Sequence, residues 1–134
     1  PLGPCISGLV ELTGGKAAIF EGSGGQLLID SYRRGVVGTM PGVEMLDGLV
    51  ALWNACEAGD WDRAYEVYYP VCAIVTLQIQ GGLDGFIVSE RHMLNRQGLF
   101  PNQVHRSPVA FHLDEGTRQE IDRLYDRLQA VLAT

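Results

Sequence analysis

The sequence predicts an α/β fold with a parallel sheet followed by a helical tail, and three observations predict it. Two short apolar runs, residues 17–20 (AAIF) and 36–40 (VVGTM), read as buried strands. Between them, residues 25–34 (GQLLIDSYRR) read as a helix of roughly ten residues, and a crossover of that length joins parallel strands. From Pro41 onward the apolar residues recur at helical spacing to the end of the chain. A parallel sheet is normally covered on both faces and holds more than two strands. Only two are legible here, so the remaining strands are expected to come from elsewhere.

Taken in order, residues 5–13 (CISGLVELT) carry apolar positions compatible with a short helix that Gly14-Gly15 ends. The run 17–20 leads into the glycine-rich EGSGG, a strand entering a tight loop. The helix over 25–34 has Arg33 and Arg34 at its negative end and Gly35 as a left-handed stop. In the next helix Leu46, Leu49, Val50, Trp53 and Cys56 are expected to share one buried face, and Gly59 closes it. Asp60 caps a helix over residues 61–80 that contains Pro70, where a bend is expected because the ring removes a hydrogen bond. A further helix over 83–97 stops at Gly98. After a loop fixed by Pro101 and Pro108, Asp114 caps a last helix with an apolar face of Ile121, Leu124, Tyr125, Leu128, Val131 and Leu132.

At 134 residues the chain suits one domain with a real core, and 46% hydrophobic with 19% charged residues is a globular mixture. The net charge of -6, with nine arginines and one lysine scattered along the chain, provides no basic face for nucleic acid. No uninterrupted apolar run approaches the roughly 20 residues that span a bilayer, so no membrane is expected as a partner. Cys5, Cys56 and Cys72 are odd in number and lack CxxC spacing, which predicts buried free thiols in a reducing cytoplasm. The opening PLGPCISG has no charged or apolar leader pattern and no initiator Met, so the chain is expected to be a fragment or a processed product of a longer polypeptide. His92, His105 and His112 lack metal-ligand spacing, GSGGQ lacks the GK[ST] ending of a phosphate loop, and no cofactor is called for. The aromatics of residues 53–69 fall on helical faces, as core or contact residues.

The stretch AAIFEGSGGQLLIDSYRRGVVGTMPG, followed by ALWNACEAGDWDRAYEVYYP, resembles the dihydrodipicolinate synthase and N-acetylneuraminate lyase family. An apolar strand ends in Glu21-Gly22, the strand Gly35-Val36-Val37-Gly38 follows a helix, and the turn Ala58-Gly59-Asp60 lies in the helical tail. The later run SERHMLNRQGLFPN adds to the likeness, which covers nearly the whole chain in order and spacing. The resemblance implies the C-terminal part of a (β/α)8 TIM barrel, its last two strands within residues 1–42. The final barrel helix and a C-terminal helical extension would fill residues 43–134. It implies a class I aldolase, lyase or 2-keto-3-deoxy sugar acid dehydratase in which a lysine forms a Schiff base with pyruvate or another 2-keto acid. That lysine and a proton-relaying tyrosine are expected before Pro1, so no catalytic residue is assigned here and the isolated piece is expected to be inactive. The implied partners are the N-terminal half of the same barrel and further copies in a dimer or tetramer.

Barrel sites lie at the C-terminal ends of strands, which points to Glu21, Gly22, Ser23 and Gly38. The resemblance places Gly22 and Val37 beside the keto acid: Gly22 for lack of a side chain, Val37 through its backbone. For Gly22 plain turn geometry is the competing account, and for Val37 core packing. Ser23 either meets a substrate hydroxyl or terminates its strand. Glu21 either binds a polar substrate or tunes the imine, or it ends a strand in solvent. Lys16 lies in the polar turn GGKAA, unsuited to a buried, pKa-lowered amine. Thr39-Met40-Pro41-Gly42 departs from the family's run of small residues and Asn. Two other readings stand beside the enzymatic one: a non-catalytic α/β interaction module, and a degenerate barrel half.

Overall fold

Short apolar runs bounded by glycine form the sheet, and amphipathic helices form everything else. The computed structural model describes all 134 residues, Pro1–Thr134. Helix α1 (Leu2–Thr13) precedes β1 (Phe20–Glu21), α2 (Leu28–Arg33) and β2 (Gly38–Thr39). Then come α3 (Leu46–Ala58), α4 (Trp61–Gln78), a 3-10 turn (Ile79–Gly81), α5 (Gly82–Arg96) and α6 (Glu115–Leu132). The strands pair in parallel, Phe20 opposite Gly38 and Glu21 opposite Thr39. The ladder extends one bond each way, from Val37 N–H to Ile19 O and from Met40 N–H to Glu21 O, both 2.9 Å. This is a complete βαβ crossover with no third strand on either edge.

The helix ends follow local chemistry. Gly35 (φ 93°) follows the last turn of α2, and Gly59 (φ 70°) closes α3. The Asp60 carboxylate accepts the Arg63 N–H at 3.1 Å and starts α4. Asp114 does the same for α6 through the Thr117 N–H at 3.1 Å and the Thr117 hydroxyl at 2.6 Å, which hold its carboxyl below the usual range. α4 continues through Pro70 to Gln78.

One core joins all these parts. Leu28 and Ile29 of α2 pack with α3, α4 and α6, whose Leu52, Val67, Val71, Ile74, Ile121 and Leu128 are fully buried. α4 is the central helix, packed against α3, α5 and α6. The expected face of α3 is corrected here: Met45, Leu49, Leu52 and Cys56 face the core, while Leu46 and Val50 are 50% and 49% exposed. α3 carries two neighbouring apolar stripes, and the placement of α4 and α6 chooses between them. Cys56 is buried, its thiol pushed up by desolvation, but Cys5 on α1 is exposed. The ring pair Tyr32–Trp53 is edge-to-face at 5.2 Å, and Arg33 lies over Trp61 at 4.4 Å, so these aromatics serve packing between α2, α3 and α4.

The apolar length of the tail is greater than the broken pattern of the sequence suggests. The helical stretch Trp61–Arg96 contains an 18-residue window of mean hydropathy 1.6, long and apolar enough by length and composition to cross a membrane. Its apolarity has a nearer use, because Val67, Val71, Ile74 and Val75 face the core. Gly82, with φ 62° and ψ -145°, turns the backbone between α4 and α5, so they do not form one rod.

Candidate functional site

Both strands end on one cleft of about 740 Å³. Gly22, Ser23 and Gly24 border it after β1, and Met40, Pro41 and Gly42 after β2. The opposite wall is α5, through Leu83, Phe86, Ile87 and Glu90. The glycine-rich loop after β1 is held by the tail. Gln26 Nε2 donates to Thr76 Oγ1 at 2.8 Å, and the Tyr68 hydroxyl donates to Gln26 O. Gly25 has φ 96°, and a Cβ there would run into Leu49 and come within 3.2 Å of Val71. Its glycine is therefore required by backbone conformation and by the approach of α3 and α4.

Gly22 differs. Its φ lies outside the left-handed region, and a Cβ added to it would meet nothing within 4 Å. Neither backbone conformation nor packing within this chain calls for glycine there. At Gly38 a Cβ would strike the Phe20 ring across the strand pair, so packing accounts for that glycine.

Glu21 is 1% exposed. Its carboxylate accepts the Thr39 hydroxyl at 2.6 Å and the Ser23 N–H at 2.9 Å. It therefore bonds the end of β1 to the end of β2, next to the cleft-lining Gly22. Two charge-assisted bonds compensate the burial of the carboxylate. Ser23 Oγ accepts the Leu27 N–H at 3.1 Å, which leaves its proton free to donate. Val37 stands apart from these residues: its side chain is half exposed and borders a shallow hollow with Tyr32, Trp53 and Glu57. The structure thus gathers Gly22 and Ser23 at the cleft, buries Glu21 away from its lining, and leaves the Val37 side chain outside. Lys16 is exposed in the turn between α1 and β1.

Two acidic residues at the cleft edge carry no motif in the sequence. Glu90 Oε1 accepts the Val43 N–H at 3.2 Å. Glu44, 3% exposed, accepts Gln78 Nε2 at 2.8 Å through Oε1, while its Oε2 is buried without a partner. Burial, with the nearby Glu90 carboxylate, pushes the Glu44 carboxyl above the usual range. They were missed because residues 44 and 90 meet only when α5 folds back onto the β2–α3 loop.

His92 is also paired by the fold. Its Nε2 lies 3.0 Å from Asp122 Oδ1 of α6, and Arg96 shares that carboxylate at 3.3 Å. No cluster of three or more His, Cys, Asp or Glu residues is arranged to hold a metal ion.

No protein-family model and no curated protein matches the chain. Among solved structures it is similar to the dihydrodipicolinate synthase of Rhodopseudomonas palustris, with a TM-score of 0.77 and 28% identity over 92% of this chain and 41% of that one. It is similar in fold to the dihydrodipicolinate synthase of Oceanobacillus iheyensis, with a TM-score of 0.78 and 21% identity over 93% of this chain and 42% of that one. The chain spans about two-fifths of the length of either synthase. An α/β architecture with a parallel strand pair and a helical tail is thus similar over nearly its whole length to part of the dihydrodipicolinate synthases, the family whose residues its sequence resembles.

Proposed function

We propose that this chain forms the last two strands and the helical extension of a (β/α)8 barrel, within a class I lyase acting on pyruvate or a related 2-keto acid. One observation carries the reading. A two-stranded parallel pair with both edges unpaired superimposes on part of a synthase more than twice its length. Unpaired strand edges need covering, and further barrel strands cover them most simply. Gly22 adds support, since its missing side chain opens space at the strand ends that this chain's own packing does not use. In this reading the neighbour filling that space is the keto acid.

The chemistry requires a buried amine that attacks the keto carbon and expels water, leaving a protonated imine that accepts the electron pair of the breaking carbon–carbon bond. The exposed Lys16 is not that amine. Another part of the barrel supplies it, and residues 20–42 shape the cleft where the keto acid lies. Assembly of several copies and a cytoplasmic location belong to the same proposal.

The test is to incubate the protein carrying this chain with pyruvate, reduce it with borohydride, and map the adduct by mass spectrometry. An adduct is expected on a lysine outside residues 1–134, with Lys16 unmodified. Failure to trap any adduct refutes the lyase reading.

A further inference from the structure

We infer that Glu90 determines specificity in the cleft, accepting hydrogen bonds from a hydroxylated, uncharged distal end of the substrate and rejecting keto acids whose distal end is anionic. The inference rests on the lyase reading above and adds to it the chemical class of the substrate's far end.

Glu90 is the only charged residue among those lining the cleft. The other polar lining residues, Ser23 and Gln26, are neutral, and the remainder are glycine, proline or apolar. Glu90 stands on α5, which faces the strand ends from the tail. It therefore meets the part of a bound molecule that extends away from the sheet. Its carboxylate is fixed by the Val43 N–H at 3.2 Å and forms none of the chain's ion pairs. Within this chain no cation pairs with it.

A second carboxyl strengthens this. Glu44 lies behind the same rim, and both groups converge on Gly42: a Cβ there would lie 2.9 Å from Glu90 Oε1 and would strike Glu44 Oε2. Gly42 therefore leaves the two side chains room to meet. The buried Glu44 is held by Gln78, and Glu90 is the only charged group that acts on it. This chain places no cation at this end of the cleft. A second carboxylate or a phosphate entering here would face like charge, whereas hydroxyl groups would find acceptor oxygens.

The test compares two keto acids in the protein carrying this chain, by the concentration that gives half-maximal borohydride trapping. One is 2-keto-3-deoxygluconate, with a hydroxylated end; the other is 2-oxoglutarate, with a carboxylate end. Trapping of pyruvate is read first. No pyruvate adduct overturns the lyase reading and this inference with it. Where pyruvate is trapped, the hydroxylated acid is expected to be preferred at least about tenfold, on the scale of one lost polar contact. Glu90→Gln is expected to cut that preference about tenfold, largely by admitting 2-oxoglutarate. Glu90→Asp, which keeps the charge, is expected to keep the rejection. Equal trapping of the two acids by the unsubstituted protein, or identical behaviour of the two variants, overturns the inference while leaving the lyase reading intact.

Discussion

Replacing Thr39 by valine tests whether Glu21 holds the two strand ends together. The two side chains are nearly isosteric, so the change removes one hydroxyl without opening a cavity. The Glu21 carboxylate then keeps only the Ser23 N–H at 2.9 Å, having lost the Thr39 hydroxyl at 2.6 Å. At 1% exposure water cannot take its place. A hydrogen bond to a charged group contributes about 1.5–3 kcal/mol, and the carboxylate keeps one of its two donors, which places the loss in the lower part of that range. Thr39→Val is therefore expected to destabilise by about 2 kcal/mol, roughly a thirtyfold change in the folded-to-unfolded ratio. Thr39→Ser, which keeps the hydroxyl, should lose much less. The assay is equilibrium unfolding in urea, read at the midpoint with the slope unchanged. A double-mutant cycle with Glu21→Ala, which removes the acceptor, isolates the pair. A Thr39→Val protein as stable as the parent, or additive single and double variants, would show that the bond does not hold the strand ends.

Three further substitutions probe the rim, the core and the exposed side of α3. Because burial keeps the Glu44 carboxyl protonated above its ordinary value of 4.5, the native state retains a proton that the unfolded chain releases. Stability from this source is complete below that ordinary value and is lost as pH rises through the raised one. Glu44→Gln should flatten the decline of the urea midpoint as pH rises above that ordinary value, and parallel curves for the two proteins would refute the assignment. Leu52→Ala, at a position with no exposure, is expected to cost about 3 kcal/mol, against under about 1 kcal/mol for Leu46→Ala on the exposed side of α3. Equal losses in urea unfolding would mean that both stripes of α3 are covered in the assembled protein.

How much of the molecule the sequence by itself determined follows from the range of the forces involved. Capping and stopping act over three or four residues, so Asp60, Asp114, Gly35 and Gly59 mark their helix ends where local chemistry puts them. The parallel pair was legible for the same reason, since a crossover of about ten residues between two apolar runs admits few other pairings. Gly22 and Ser23 could be placed at a strand end, where they border the cleft, because the apolar run before them ends at a glycine-rich loop. Long-range contacts decided the rest. The buried face of α3 depended on where α4 and α6 came to lie, because periodicity cannot rank two adjacent apolar stripes. The burial of Glu21 required Thr39 from the other strand, 18 residues away, to supply its donor. Glu44 and Glu90 became neighbours only when Gly82 turned α5 back across the strand ends, a juxtaposition with no periodic or local signature for the chain to display in advance.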